Sequence, residues 1–159
     1  MTQKSIAGWL KGLIIGVALC GLIIYALVIP SVGLSIVGAN PEFEFCYLPW
    51  LIFISITALP CYAALFFAWK VASNIGRDRA FSMDNAKWIK YIAVLAAADA
   101  MFFFAGNVVF LLLNMNHPGI ALLSLIVVFA GIAIAVAAAA LSYLIKRAAA
   151  LQEQSDWTI

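Results

Sequence analysis

Charge is scarce in this sequence: only 10% of its 159 residues are Asp, Glu, Lys or Arg, against roughly a quarter in soluble domains. So thin a supply cannot clothe a soluble surface, which excludes an ordinary water-soluble domain. Histidine is scarcer still, with His117 alone, so no His-rich metal or catalytic cluster can form. The three cysteines, Cys20, Cys46 and Cys61, lie far apart and make no C-x-x-C pair. Neither a disulfide framework nor a thiolate metal site is expected from such spacing. Bond cleavage inside a bilayer needs paired acids or a nucleophile beside a base. Neither pattern occurs, so no catalytic residue, no metal ligand and no cofactor is expected, and the chain reads as a non-enzyme.

What the sequence has in abundance is apolar length. Hydrophobic residues make up 67% of the chain, and they gather into stretches of about 20 residues, the length at which a helix crosses roughly 30 Å of hydrocarbon. Four spans are expected, at residues 12–30, 48–71, 91–113 and 120–145, within a single membrane domain 1–159 whose residues 146–159 form a polar tail. The first apolar run follows Lys4 and Lys11, as a signal peptide would. It is longer than a signal core and ends without a small-x-small site, so it is read as a retained span.

The connections differ in charge. Residues 31–47 hold Glu42 and Glu44 without Lys or Arg, and residues 114–119 hold no Lys or Arg. The segment 70–90 carries Lys70, Arg77, Arg79, Lys87 and Lys90. With Lys4, Lys11, Lys146 and Arg147 these are all nine basic residues, on one side of a four-span plan. The positive-inside rule makes that side the cytoplasm. The expected fold is therefore an all-α, antiparallel four-helix transmembrane bundle in the cell (inner) membrane, with both termini cytoplasmic. Topology accounts for most of the basic residues, so the net charge of +2 names no partner; an anionic-lipid or nucleic-acid patch at residues 70–90 is the lesser alternative, and direct nucleic-acid binding is not expected.

Within the basic loop, Ser82 reads as a helix N-cap with Asp84 in the first turn, and Phe81 as a hydrophobic staple packing one turn inside. The outer loop 31–47 is read as extended or re-entrant. Gly12 with Gly16, and Gly131 with Ala135 and Ala139, have the small-x-x-x-small spacing of closely packed membrane helices. They are assigned to internal packing, with a homo-oligomer as the alternative use.

Asp99 is the one ionisable group deep in a span. At 1.5 Å per residue it lies about 12 Å past Tyr91, close to mid-bilayer. A charged Asp there costs about 2.5–3.5 kcal/mol on insertion scales, so it is expected to face the bundle interior. Asn107 and Asn114 fall on the same side of the helix, giving a polar stripe. One reading makes Asp99 a proton or cation relay, another a switch or ligand contact. The preferred reading is structural: a neutral Asp99 donates to the Ile56 carbonyl that Pro60 frees in span two.

Four passages resemble one family. Cys46-Tyr-Leu-Pro-Trp50, the run AWKVASNIGRDRAFS ending at Ser82, Ala86-Lys-Trp-Ile-Lys-Tyr91 and the ending Glu153 to Ile159 are similar to the bacterial membrane family called domain of unknown function 2975. The most specific parts are Arg79-Ala-Phe81-Ser82 and Asp156-Trp157-Thr158-Ile159, where Trp157 replaces the family's Leu. The resemblance implies the same four-helix plan. It also implies a partner, because members are commonly encoded beside a very small helix-turn-helix regulator that the membrane protein would hold or control. The apolar tip Trp157-Thr158-Ile159 at the end of a polar tail either docks into such a partner or, as preferred, folds back near Phe81. The rival function is a proton- or ion-coupled transporter centred on Asp99. Small four-span drug exporters keep their membrane acid in the first span, where this chain has none.

Overall fold

The computed structural model describes residues 2–156, with side chains to residue 154. Helix α1 spans Gln3–Ile23 and is joined through the π-turn Ile24–Val28 to α2, Ile29–Ala39, so the first rod is helical from residue 3 to residue 39. A short 3-10 turn, Pro41–Phe43, leads into α3, Glu44–Ile75; α4 is Met83–Leu112 and α5 is Pro118–Asp156. All four rods are long and apolar enough to cross a membrane, as expected. The described residues contain no strand.

The first rod departs from expectation. Pro30 was expected to end the first span, and residues 31–47 to form an outer loop; instead the helix continues to Ala39 and the turn shrinks to residues 40–43. Proline lacks the N–H that a helix interior uses, and its ring crowds the carbonyl four residues earlier. The widened turn just before it relieves that crowding: the Ile29 N–H bonds to the Ile24 carbonyl, five residues back.

The α4–α5 pair is the closest contact in the fold. In α4 the buried residues Ala86, Ala93, Ala100 and Asn107 recur every seven positions, with Ile89 between the first two. In α5 Val128, Ala135, Ser142 and Ala149 do the same. A seven-residue repeat on both partners is the pattern of a coiled-coil seam, and here small side chains let the backbones approach. A Cβ built on Gly131 would stand 3.0 Å from the Ala100 Cβ, and the buried Ser142 Oγ donates to the Ala86 carbonyl at 2.6 Å. Gly131 and Ala135 thus serve internal packing, as read from sequence. Ala139 does not: it is exposed, because the seam advances by sevens and passes through Ala138. Gly12 and Gly16 also depart from expectation, since a Cβ built on either would meet no other helix within 4 Å.

Helix α3 packs on α4 through aromatic rings. Phe53 sits among Phe102, Phe103 and Phe110, with centroids 5.2, 5.7 and 5.1 Å away, and its ring fills the space a side chain on Gly106 would need. Helix α1 rests mainly on α3, tied by Tyr62 Oη donating to the Ala18 carbonyl at 2.8 Å. Between the first rod and α5 lie two cavities. One of about 490 Å³ borders Leu13, Leu65, Ile92 and Leu141. The other, of about 420 Å³, borders Val32, Phe53, Asn107 and Ser124.

Both tight connections end their helices with a left-handed residue. Asp78 (φ 59) and Asn114 (φ 56) occupy this position. After Asp78, the Arg79 N–H reaches back to the Asn74 carbonyl; after Asn114, the Met115 N–H reaches Phe110. These are Schellman caps, made by the non-glycine residues that best tolerate positive φ. The first loop is then locked by Asn85, which is fully buried. Its Oδ1 accepts from Asn74 Nδ2 at 2.8 Å, and its Nδ2 donates to the carbonyls of Arg79 and Ala80 at 3.1 and 3.0 Å. Ser82 caps α4 as expected, its Oγ accepting from the Asn85 N–H at 3.2 Å. Phe81 is 61% exposed, so it is not the buried staple anticipated; Asn85 holds the chain entry instead.

Residues 146–156 continue α5 without a turn, and Ala149 is still buried, so the helix carries on past Lys146 and Arg147. Trp157, Thr158 and Ile159, and the side chain of Asp156, on which the docking and fold-back readings of the tip fall, lie outside the described residues.

Two substitutions test this packing. Gly106→Ala drives a methyl into the Phe53 ring and is expected to cost about 1–3 kcal/mol, seen as a lower thermal midpoint in detergent. Asn85→Asp keeps the shape but loses both donated bonds; a loss of about 2–3 kcal/mol is expected, with faster proteolysis between residues 76 and 82. An unchanged midpoint for either variant would contradict the contact it removes.

Candidate functional site

The polar groups inside the helices form two separate clusters. The first joins three helical segments near mid-length. The π-turn carries Tyr25, whose hydroxyl lies 2.8 Å from Thr57 Oγ1 on α3. Thr57 Oγ1 itself donates to the Ile54 carbonyl at 2.7 Å, which spends its one proton, so Tyr25 is the donor in the pair. One turn further along α3, Cys61 Sγ donates to Asp99 Oδ2 on α4 at 3.7 Å. Asp99 Oδ1 is buried without a hydrogen-bond partner.

Asp99 thus faces a neighbouring helix, but the partner read from sequence was different. Its described bond goes to Cys61, the residue after Pro60, and the Ile56 carbonyl plays no part among the described hydrogen bonds. Pro60 lies inside α3, which continues through it. Tyr25, Thr57 and Cys61 were not singled out as a group. A π-turn leaves no sequence pattern, and without it Tyr25 reads as one more apolar-span aromatic.

The second cluster lies at the end away from the basic residues. Asn107 is buried; its Nδ2 donates to the Phe103 carbonyl at 2.8 Å, and its Oδ1 accepts from Asn116 Nδ2 at 3.1 Å. Asn114 sits beyond the end of α4 in the left-handed turn. The stripe expected along span three is therefore divided. Asp99 turns toward α3, Asn107 is tied to the loop, and Asn114 has left the helix.

Chemically, the first cluster offers a carboxyl, a thiol and two hydroxyls. Among the described residues no three of His, Cys, Asp and Glu come together as a metal-binding group, and Cys20, Cys46 and Cys61 are free thiols. The arrangement can hold a proton or a small polar group at Asp99, and it can tie helices together.

At the opposite end from Asn107, the basic residues share one face of the assembly. Ala7 on α1 approaches Gly76 at the end of α3, Lys11 lies over Trp69 at 5.1 Å, and Ser142 meets Ala86. These contacts bring the start of α1, the α3–α4 loop and the late turns of α5 to the same end. Phe81 and Ser82 are there: Phe81 exposed, Ser82 engaged in capping.

Comparison with known proteins places this architecture. The chain is similar to the uncharacterised membrane protein YoaS of Bacillus subtilis (strain 168), at 33% identity over 150 residues that cover 92% of this chain and 91% of that relative. No solved structure matches significantly. The family described as a protein of unknown function, DUF2975, matches residues 33–159. That match takes in α3, α4, α5 and the loop locked by Asn85, and the chain therefore belongs to the DUF2975 family.

Proposed function

We propose that this membrane protein is a non-enzymatic regulator or anchor in the cell (inner) membrane. Its basic end lies in the cytoplasm and binds a small helix-turn-helix regulator. The observation that supports this reading is the length and continuity of α5. Its 39 residues extend about 58 Å, against roughly 30 Å of hydrocarbon, and the excess stands at the basic end as continuous helix. Leu151 on it is 66% exposed, and Phe81 in the neighbouring loop is 61% exposed, among the described residues. A continuous helix with exposed apolar groups next to an ordered loop is a surface suited to another protein. The positive-inside rule puts that surface in the cytoplasm. On the first rod, Gly8, Gly12 and Gly16 meet nothing within 4 Å, which leaves α1 free to pack on a second copy of the chain.

A second reading, an ion-coupled transporter, draws support from Asp99 Oδ1, a buried oxygen without a partner. Intramembrane acids of that kind carry protons in pumps and transporters.

Capture of the tagged protein from its native membrane, followed by mass spectrometry, tests the first reading. A stoichiometric small helix-turn-helix protein is expected. Removing residues 152–159 should release that partner while the protein stays inserted. Reproducible purification without any such protein would remove the regulator reading. Asp99→Asn separates the two functions: partner capture is expected to persist, whereas proton-coupled uptake in proteoliposomes, if Asp99 carries it, should fall to background.

A further inference from the structure

Where α3 ends and α4 begins, at the basic end, four aromatic rings gather on neighbouring turns. Phe67 stacks on Trp88 with centroids 5.4 Å apart, tilts against Tyr91 at 5.3 Å and meets Phe66 at 5.6 Å. Two ammonium groups rest on these rings, one from each helix. Lys70 Nζ lies 4.6 Å from the Trp88 centroid and 5.0 Å from that of Phe66. Lys87 Nζ lies 5.7 Å from Trp88 and 5.9 Å from Tyr91.

Two positive charges thus converge on a single indole. Among the described residues neither has a carboxylate at ion-pair distance. The ring quadrupole attracts each ammonium without cancelling its charge, so the pair presents a net charge of two to whatever lies beside it. Tryptophan and tyrosine rings favour the membrane–water boundary. From the lysines, the same helix faces run on into exposed apolar side chains: Phe66 and Leu59 on α3, Tyr91, Val94 and Met101 on α4.

We propose that Lys70, Lys87 and Trp88 form a binding site for the phosphate of an anionic phospholipid, whose acyl chains lie along the faces marked by Leu59 and Val94. Charge complementarity selects the phosphate, and the apolar continuation selects a lipid over a soluble anion, which would leave those faces unused. The site is independent of any cytoplasmic partner and of Asp99.

Native mass spectrometry of the full chain in detergent, titrated with phosphatidylglycerol and separately with phosphatidylcholine, tests the proposal. Preferential retention of phosphatidylglycerol is expected. Lys70→Gln with Lys87→Gln should weaken it roughly 30-fold, from the attraction typical of two interfacial lysines. The double variant Lys4→Gln with Lys146→Gln removes the same charge from the same end and should stay within about twofold of the parent. Lys70→Arg with Lys87→Arg should retain binding, which separates loss of charge from loss of fold. Equal weakening by both glutamine pairs would mean diffuse attraction and overturn the site. Displacement of phosphatidylglycerol by millimolar inorganic phosphate would make it a soluble-anion site and overturn the lipid assignment, as would an unaltered affinity in the Lys70→Gln, Lys87→Gln variant.

Discussion

In hydrocarbon, helices gain little by hiding apolar side chains from one another, since lipid tails are as apolar as leucine, and association depends on how closely the backbones can pack. The α4–α5 seam is where this chain meets that condition. Ala86, Ala93 and Ala100 are buried on α4 and Val128, Ala135 and Ser142 on α5; across the seam Ser142 bonds the Ala86 carbonyl and Gly131 approaches Ala100. The other helices join through larger side chains. Helix α3 joins by setting the Phe53 ring into the notch at Gly106, and the first rod joins α3 by side-chain hydrogen bonds from Tyr62 and Tyr25. Packing therefore grades from a small-residue interface at the C-terminal hairpin to a first rod that borders two cavities.

The polar groups follow the same gradient. Where packing is close they are satisfied at once, as with Ser142 on the Ala86 carbonyl and Asn85 in the first loop. Where the first rod meets α3 and α4, satisfaction is partial: Tyr25, Thr57, Cys61 and Asp99 come together, and one carboxylate oxygen is left over. An unpaired buried oxygen is costly in a low-dielectric interior, and it lies where the packing is loosest in polar terms. The two ends are organised differently. One closes on the Asn107–Asn116 pair, while the other carries the cations, the aromatic rings and the exposed Phe81.

Much of this was legible in the residues. Apolar runs of membrane length and the placement of nine cations required four spans with a shared basic end, because hydrocarbon admits few charges and spanning helices satisfy their own backbones. Ser82 as a cap was also readable, since it acts on the amide three positions on, and the glycine at position 131 as a packing residue, since its spacing from Ala135 marks a small-residue helical face. The family resemblance was readable in short stretches such as Arg79-Ala-Phe81-Ser82 and Ala86-Lys-Trp88, which lie in the loop and the first turns of α4.

Other features depended on contacts between distant segments, which no local pattern records. Pro30 reads as a stop unless the turn before it widens, and that widening carries Tyr25 to Thr57, 32 positions away. Asn85 looks like an ordinary first-turn residue until the Schellman cap at Asp78 brings two carbonyls within reach of its amide. Gly12 and Gly16 have the same spacing as residues that do pack, yet they face open space, because spacing specifies a helical face and only the neighbouring helix decides whether that face is covered. Hydropathy and charge thus determined how many times the chain crosses and which ends lie together; the partners of Asp99, Asn85 and Lys70 were decided by the approach of one helix to another.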